Sequence, residues 1–406
     1  MPWLDWLSLF VRWFHVIAGI AWIGASFYFI WLDNSLETPP EWKKQKGIKG
    51  DLWAVHGGGF YEVGKYAYGP EVMPKTLHWF KWEAYSTWLS GFALLIIVYY
   101  FAASAYLIDP SVMALSEGEA IARGLGLLAG GVLLYELACR SPLANYPKVF
   151  ALALTALLVV ATYLATHWFS GRGAYIHVGA LIGSIMVANV WLNIMPAQRK
   201  MVDAVAAKQA VDPAWGAGAK LRSVHNNYLT LPILFIMISN HYPMTYQHPQ
   251  NWLVLVAIMA LSAWIRHFFN LRHVGKFSPA VLVSGMLGLL AVALWVSWPK
   301  PQPEVSVAPA AAVTETQTAS MSALDAQVQA LVETHCVGCH ASTPTDNIFK
   351  VAPLGVKLDS WVDIERQGRQ LVNRTTVTRD MPFLNKTNMT DEERATIAAW
   401  GKEQGY

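Results

Sequence analysis

Two cysteines and a histidine near the carboxyl end of the sequence have the spacing of a covalent haem site. Cys336, Cys339 and His340 form a C-x-x-C-H motif, in which the thiols bond to the haem vinyl groups and the histidine ligates the iron. The alternatives are a zinc site or a C-x-x-C redox pair. No Cys or His follows His340 to complete a zinc site, and the strand–helix context of a thioredoxin-like unit is missing. The motif therefore predicts one haem c.

A methionine downstream of the motif is expected to supply the sixth iron ligand. Met381, followed by Pro382, resembles the methionine loop of class I cytochromes c. Met389 is the alternative, although a methionine in a small domain more often fills a gap in the core. Ligation by methionine and histidine raises the haem potential, which suits an electron acceptor.

The last segment predicts the closing helix of that domain. Thr390 is placed to cap it, and Glu393 completes a capping box. Ile397 and Trp400 then face inward. We therefore expect a small class I cytochrome c domain at the carboxyl end.

Eight apolar stretches in the remaining sequence are long enough to cross about 30 Å of hydrocarbon as helices. Hydrophobic residues make up 54% of the 406 residues and charged residues only 14%, which is typical of a polytopic membrane protein. The predicted fold class is all-α, an eight-helix transmembrane bundle followed by the cytochrome domain. The stretches are residues 7–32, 83–107, 120–139, 149–168, 174–195, 224–239, 252–269 and 279–298.

Charge predicts how this bundle is oriented. Lysine and arginine collect in the first, third, fifth and seventh loops, while the opposite loops carry little beyond Arg172. The positive-inside rule then places both termini outside, in the periplasm of a bacterium whose inner membrane holds the chain. The first stretch is long and lacks an early cleavage site, so we expect it to be retained.

Three segments follow from these patterns. Residues 1–298 form the membrane domain, residues 299–320 a linker rich in Pro and Ala, and residues 321–406 the cytochrome domain. Membrane lipid is an expected partner. The net charge of +3 is small and scattered, so nucleic acid is not an expected partner.

Histidines within apolar spans are rare and are therefore candidates for function. Four lie towards the predicted outer side of the bundle and could ligate at least one haem b in pairs, although interfacial histidines often only form hydrogen bonds. Among them, His15 and His177 are the preferred iron ligands. The four are His15, His167, His177 and His241.

A second polar group lies towards the predicted inner side. It resembles a pocket for a small polar molecule, although the run beginning at His225 could instead cap a helix. The members are Glu83, His225, Asn226, Asn227, Arg266 and His267.

Several of these residues carry a resemblance to a known family. The chain resembles the membrane-bound bacterial urate oxidases in residues 13–24, 171–179, 225–228 and 239–243. The resemblance extends over the whole chain, since those enzymes also consist of an eight-helix membrane domain fused to a cytochrome c. The resemblance implies oxidation of urate to 5-hydroxyisourate, with electrons leaving through cytochrome c and not forming hydrogen peroxide. Soluble cytochrome c or a terminal oxidase would be the next acceptor.

Urate suits the inner polar group as a substrate. Urate is a planar anion, so Arg266 would neutralise it, Asn226 and Asn227 would pair with its edges, and a histidine or Glu83 would take the proton. Two other functions remain open: an electron-transfer subunit whose catalytic partner is another chain, and a transporter with a redox sensor attached.

Overall fold

Helices make up 72% of the computed structural model of the chain. The structure describes residues 2–109, 112–298, 322–347, 349, 351–377, 379 and 381–406. The predicted linker, residues 299–320, lies outside the described residues. The hydrophobic cores of the described residues lie on either side of this segment, one large and one small cluster before it and one cluster after it.

Among the described residues, twelve α-helices precede the linker. They are α1 Pro2–Ser35, α2 Glu41–Gln45, α3 Trp82–Leu94, α4 Ala103–Tyr106, α5 Glu117–Arg140, α6 Pro147–Trp168, α7 Gly171–Ala188, α8 Met195–Ala206, α9 Pro213–Ser239, α10 Pro243–Tyr246, α11 Asn251–His273 and α12 Pro279–Ser297. The π-helical segment Leu95–Tyr100 continues α3, and a second π-helical segment, Asn189–Ile194, joins α7 to α8. A short 3-10 turn, Pro142–Asn145, leads into α6.

Six helical spans in the described part of the chain are long and apolar enough to cross a membrane. They are Trp6–Ser35, Glu117–Arg140, Pro147–Trp168, Gly171–Ala206, Asn251–His273 and Pro279–Ser297. These correspond to six of the eight predicted spans. The predicted second span is divided among α3, its π segment and α4. The predicted sixth lies in α9, whose first half carries Lys220, Arg222 and two asparagines and is therefore too polar to qualify.

A β-hairpin corrects the all-α prediction. Strand β1, Ile48–His56, pairs antiparallel with β2, Gly59–Tyr66, in the loop after α1. Gly57 and Gly58 both have positive φ at the turn, as a tight hairpin requires.

Helix α7 occupies the centre of the bundle, in contact with α5, α6 and α9. Glycines permit this close packing: a Cβ at Gly131 of α5 would lie 2.5 Å from Leu181, and one at Gly179 would lie 2.6 Å from Ile236. The side chains of α7 are therefore fixed from several sides, which matters for those that carry polar groups.

The C-terminal domain, residues 322–406, contains α13 Ala323–His335, α14 Trp361–Val372 and α15 Asp391–Glu403. The π segment Asn373–Val377 and the 3-10 turns Pro353–Gly355 and Phe383–Asn385 connect them. The predicted closing helix is confirmed as α15, with a capping box between Thr390 and Glu393 and with Ile397 and Trp400 fully buried.

Candidate functional site

A cavity of about 920 Å³ in the C-terminal domain brings together the residues of the predicted haem site. Cys336, Cys339, His340 and Met381 all line it. Helix α13 ends at His335, and the turn that follows is held by hydrogen bonds from the amides of Cys339 and His340 to the Cys336 carbonyl, at 3.1 and 2.8 Å. The motif is therefore presented by one tight turn on a rigid helix.

The orientation of His340 suits a metal ligand. Its Nδ1 donates a hydrogen bond to the carbonyl of Val356, 3.0 Å away. That bond fixes the tautomer in which Nε2 keeps its lone pair, as in histidines that bind metals. Burial lowers the pKa of His340, with the Val356 bond opposing this and Arg374 adding to it, so the ring is neutral at pH 7.

The two thiols are neutral as well. Burial raises the pKa of Cys336 to about 12. The pKa of Cys339 is raised by burial and by nearby Asp346. A reactive C-x-x-C pair lowers the pKa of a thiol, so these two do not resemble a thiol–disulfide redox centre.

The two methionines considered as the sixth ligand are placed differently. Met381 lines the cavity, with its backbone amide bonded to the Arg374 carbonyl. Met389 is 3% exposed in the hydrophobic core, and its amide is held by Asn385. Only Met381 has the location that an iron ligand would need.

In the helical bundle, the inner polar residues form two clusters on different faces of α9. In the first, Asn226 accepts a hydrogen bond from Asn189 at 2.8 Å and donates to the Met186 carbonyl at 3.0 Å, which ties α9 to α7. The Tyr135 hydroxyl lies 2.8 Å from His225 Nδ1 and also contacts Asn189. We call this set the α7 cluster.

Arg222 completes the α7 cluster. Its guanidinium lies 3.0 Å from Asn189 Oδ1 and 2.9 Å from Glu136, and stacks over Tyr135. Glu136 also pairs with Arg140 at 2.8 Å. Arg222 is thus already paired within the protein, with a carboxylate that it shares with Arg140.

The second set, the α11 cluster, lies between α9, α11 and α1. Asn227 accepts a hydrogen bond from Arg266 Nε at 2.5 Å and donates to Asn270 at 2.7 Å. The Arg266 guanidinium lies 4.1 Å from the ring centroid of Phe27. Arg266 is 5% exposed, and its Nη2 has no hydrogen-bond partner among the described residues. A buried cation with an unused donor is costly, which points to a ligand.

His267 and Glu83 lie apart from that arginine. The Nδ1 of His267 is 2.7 Å from the Tyr228 hydroxyl, and its ring stacks on Trp264. One carboxylate oxygen of Glu83 is 4.0 Å from His78 Nε2, while the other is buried without a hydrogen-bond partner among the described residues. The predicted inner group is therefore not one pocket.

A cavity of about 780 Å³ lies between α6, α9 and α11. His225, Tyr228 and His267 border it, as do Arg222 and Lys148, but most of its lining is aliphatic. Arg266 and Asn227 are not among its lining residues.

The four outer histidines do not converge. His15 donates to the Thr87 carbonyl at 3.0 Å, whereas His177 is fully buried and its Nε2 accepts from the Tyr100 hydroxyl at 3.2 Å. Thr87 belongs to α3 and Tyr100 to the end of the π segment that continues it, so the two contacts are roughly 15–20 Å apart along the helix axis, judged from helical rise. The other two, His167 and His241, are exposed, and His167 stacks on Tyr163 of its own helix.

A family model described as urate oxidase N-terminal matches residues 2–297. The chain belongs to this family. No curated protein and no solved structure matches it. The region that matches this family contains the α7 cluster, the α11 cluster and all four outer histidines. The C-terminal domain lies beyond the matched region.

Sequence reasoning missed several members of these clusters. Arg222, Tyr135 and Asn189 belong to the α7 cluster, and Asn270 and Phe27 to the α11 cluster. The spacing of Arg222 and His225, three residues apart on one helix, was an available signal because such residues share a face. Tyr135, Asn189 and Phe27 come from other helices, and no local pattern indicates them.

Proposed function

We propose that the chain oxidises urate and passes the electrons to a haem c in its C-terminal domain. The family match over residues 2–297 carries the urate part of this proposal. The net reaction is urate plus water giving 5-hydroxyisourate, two protons and two electrons. A membrane-embedded chain would deliver those electrons to soluble cytochrome c or a terminal oxidase without forming hydrogen peroxide.

The α11 cluster is the site that we assign to urate. Arg266 offers a buried positive charge and an unused donor, and the Phe27 ring stacks on the guanidinium and fixes its plane. Asn227 and Asn270 hold each other and the arginine in place, so the cation is oriented before the substrate arrives. A planar anion would satisfy Nη2 by a charge-assisted hydrogen bond.

Proton removal would fall to a basic side chain near the substrate. His267 lies next in sequence to Arg266 and is hydrogen bonded to Tyr228, while Glu83 has a buried free oxygen on another helix. Neither the His267 side chain nor the Glu83 side chain is hydrogen bonded to Arg266. His267 is our choice, because its tyrosine partner provides a route for the proton to leave.

The α7 cluster is assigned a structural role. Arg222, Asn189 and Asn226 use one another as partners, so they do not offer the substrate a free charge. This departs from the expectation that Asn226 would touch urate. It would instead anchor α9, and with it Asn227, to α7.

The C-terminal cavity fits a haem c. Two neutral thiols, a histidine with Nε2 free to ligate and a methionine line one space large enough for a planar prosthetic group. Cys336 and Cys339 would bond to the ring, and His340 and Met381 would ligate the iron. Bound there, the group would supply one-electron acceptor chemistry.

A haem b in the bundle stays a prediction. The observed contacts of His15 and His177 bring no two of the four outer histidines together, so we derive no step from it. A pyridine haemochrome spectrum of the purified protein, which resolves b from c, tests both haems.

The proposed location is the bacterial inner membrane, with the C-terminal domain in the periplasm. Six long apolar helices support the membrane part. The proposal that the C-terminal domain lies on the periplasmic side rests on the distribution of charge among the loops.

Anaerobic addition of urate to the purified protein tests the function. We expect the haem c absorbance to change to that of the reduced form, and the Cys336→Ser, Cys339→Ser double variant to bind urate without this change. A protein that carries haem c but is not reduced by urate would instead support an electron-transfer subunit with a separate catalytic partner.

A further inference from the structure

The C-terminal domain packs against one end of the helical bundle through α14 and the turn at Gly355. Gln367 of α14 is 5% exposed and donates a hydrogen bond to the Ala105 carbonyl at 2.9 Å. Arg366 lies 4.0 Å from Asp109. At the turn around Gly355, a Cβ would lie 3.3 Å from the Tyr246 ring. The contact therefore spans α4, the residues after it and α10.

This contact brings an aromatic ring of the bundle to the C-terminal cavity, which is lined by Cys336, Cys339 and His340. Tyr106, the last residue of α4, lines the C-terminal cavity together with Cys336 and His340. The remaining lining residues of that cavity come from the C-terminal domain itself. The bundle thus supplies one wall position of a site that otherwise belongs to another domain.

Tyr106 is joined to the interior of the bundle by a stack of side chains. The Arg172 guanidinium lies 5.1 Å from the Tyr106 ring and 5.7 Å from the Tyr99 ring. Its Nε donates to Asn240 Oδ1 at 3.2 Å. Tyr99 in turn lies 6.3 Å, between ring centroids, from fully buried His177.

We infer that this contact is where electrons leave the bundle, with Tyr106 as the last bundle residue before the haem and Arg172 as the residue that positions Tyr106 and Tyr99. The inference rests on the proposed urate oxidation and haem c. Each urate oxidised releases two electrons, which would cross one at a time; a haem c held by Cys336, Cys339 and His340 would accept them, and an external cytochrome would take them on. The C-terminal domain is then a docked part of the enzyme and not a carrier that must leave to be reduced.

Crosslinking tests the docking without reference to activity. In a Cys139→Ala background, Ala105→Cys and Gln367→Cys should be joined by a short bismaleimide, so that the C-terminal domain stays attached after protease cuts between residues 299 and 320. The matched pair Ala105→Cys and Ala326→Cys, with the second thiol on the exposed part of α13, should release the domain. Equal release from both pairs would overturn the docking.

Rapid mixing with urate tests the route. Tyr106→Leu should slow haem c reduction by urate about tenfold, equivalent to about 1.4 kcal/mol in the barrier. Tyr106→Phe, which keeps the ring, should not slow it. Direct reduction of the haem by ascorbate should be unchanged in both. Tyr242→Leu, an exposed tyrosine at the same end of the bundle, is the control.

Arg172→Lys should also slow reduction by urate, because an ammonium cannot stack on two rings as the planar guanidinium does. Arg123→Lys is its control. The Arg123 guanidinium also stacks on an aromatic ring, 5.4 Å from the centroid of Trp168, but Arg123 does not line the C-terminal cavity. Normal reduction by urate in Tyr106→Leu and Arg172→Lys, with haem c present in the spectrum, would refute the route and leave the proposed function standing. Absence of haem c, or no reduction of the unmodified protein by urate, would refute the proposed function.

Discussion

Replacing Arg266 by glutamine should separate substrate binding from stability. Glutamine can still donate to Asn227, so that hydrogen bond is kept, while the charge and the unpartnered Nη2 are removed. Loss of one charge-assisted hydrogen bond to urate costs about 1.5–3 kcal/mol, which corresponds to a fall in kcat/KM of about 10- to 150-fold.

The effect on folding should be small. The variant loses the stacking on Phe27, worth about 1–2 kcal/mol, but it also removes a buried charge that no described carboxylate neutralises. These terms oppose each other, so we expect the free energy of unfolding to change by less than about 1 kcal/mol.

Arg222→Gln is the matched control, since it alters a buried arginine on the neighbouring helix. Arg222 is paired with Glu136 and Asn189, and Glu136 keeps Arg140 when Arg222 is lost. This variant should lose about 1–3 kcal/mol of stability and keep its apparent affinity for urate.

The assay combines thermal unfolding in detergent, with and without urate, with urate-dependent reduction of haem c. Urate should raise the Tm of the unmodified protein and of Arg222→Gln but not that of Arg266→Gln. The assignment of the α11 cluster fails if urate stabilises Arg266→Gln as strongly as the unmodified protein.

Three further outcomes are expected. Met381→Leu should retain covalent haem but lose the methionine–iron absorbance band and lower the potential, whereas Met389→Leu should keep both; the spectrum and a redox titration decide between them. Gly131→Ala should cost about 1–3 kcal/mol in unfolding experiments because its Cβ would lie 2.5 Å from a leucine of α7, while Gly24→Ala, with nothing within 4 Å, should cost little. Protease added outside intact spheroplasts should cut within residues 299–320, and cutting only after lysis would reverse the proposed orientation.

Much of the helical architecture could be predicted because apolar runs of sufficient length have few alternatives to a helix. The residues at which the helices begin and end were harder to predict from the sequence. Helix α9 begins at Pro213, well before the predicted residue 224, because Asp212 caps it and its first half is polar. Composition does not predict the hairpin because residues 48–66 lie within the lysine-rich first loop, although the adjacent glycines at its turn are a usable signal.

The candidate sites differ in the same way. The haem motif and Met381 could be predicted because their chemistry is local in sequence. Depth in the membrane placed His15 and His177 at one level, but it carries no information about which helices are neighbours. Asn226 and Asn227 differ by about 100° around α9, so adjacent residues of one helix must face different partners. That geometry explains why a predicted single pocket is two clusters.

The shared position of Asn226 and Asn227 on one helix also limits how the α11 cluster can adapt to its ligand. Asn226 is bonded to a backbone carbonyl of α7 and to the side chain of Asn189, which directly follows α7. A rotation of α9 that moved Asn227 would break those bonds, so the arginine and its amide partners are preorganised. Selectivity at such a site comes from rejecting shapes that do not fit, since the site has little freedom to close around them.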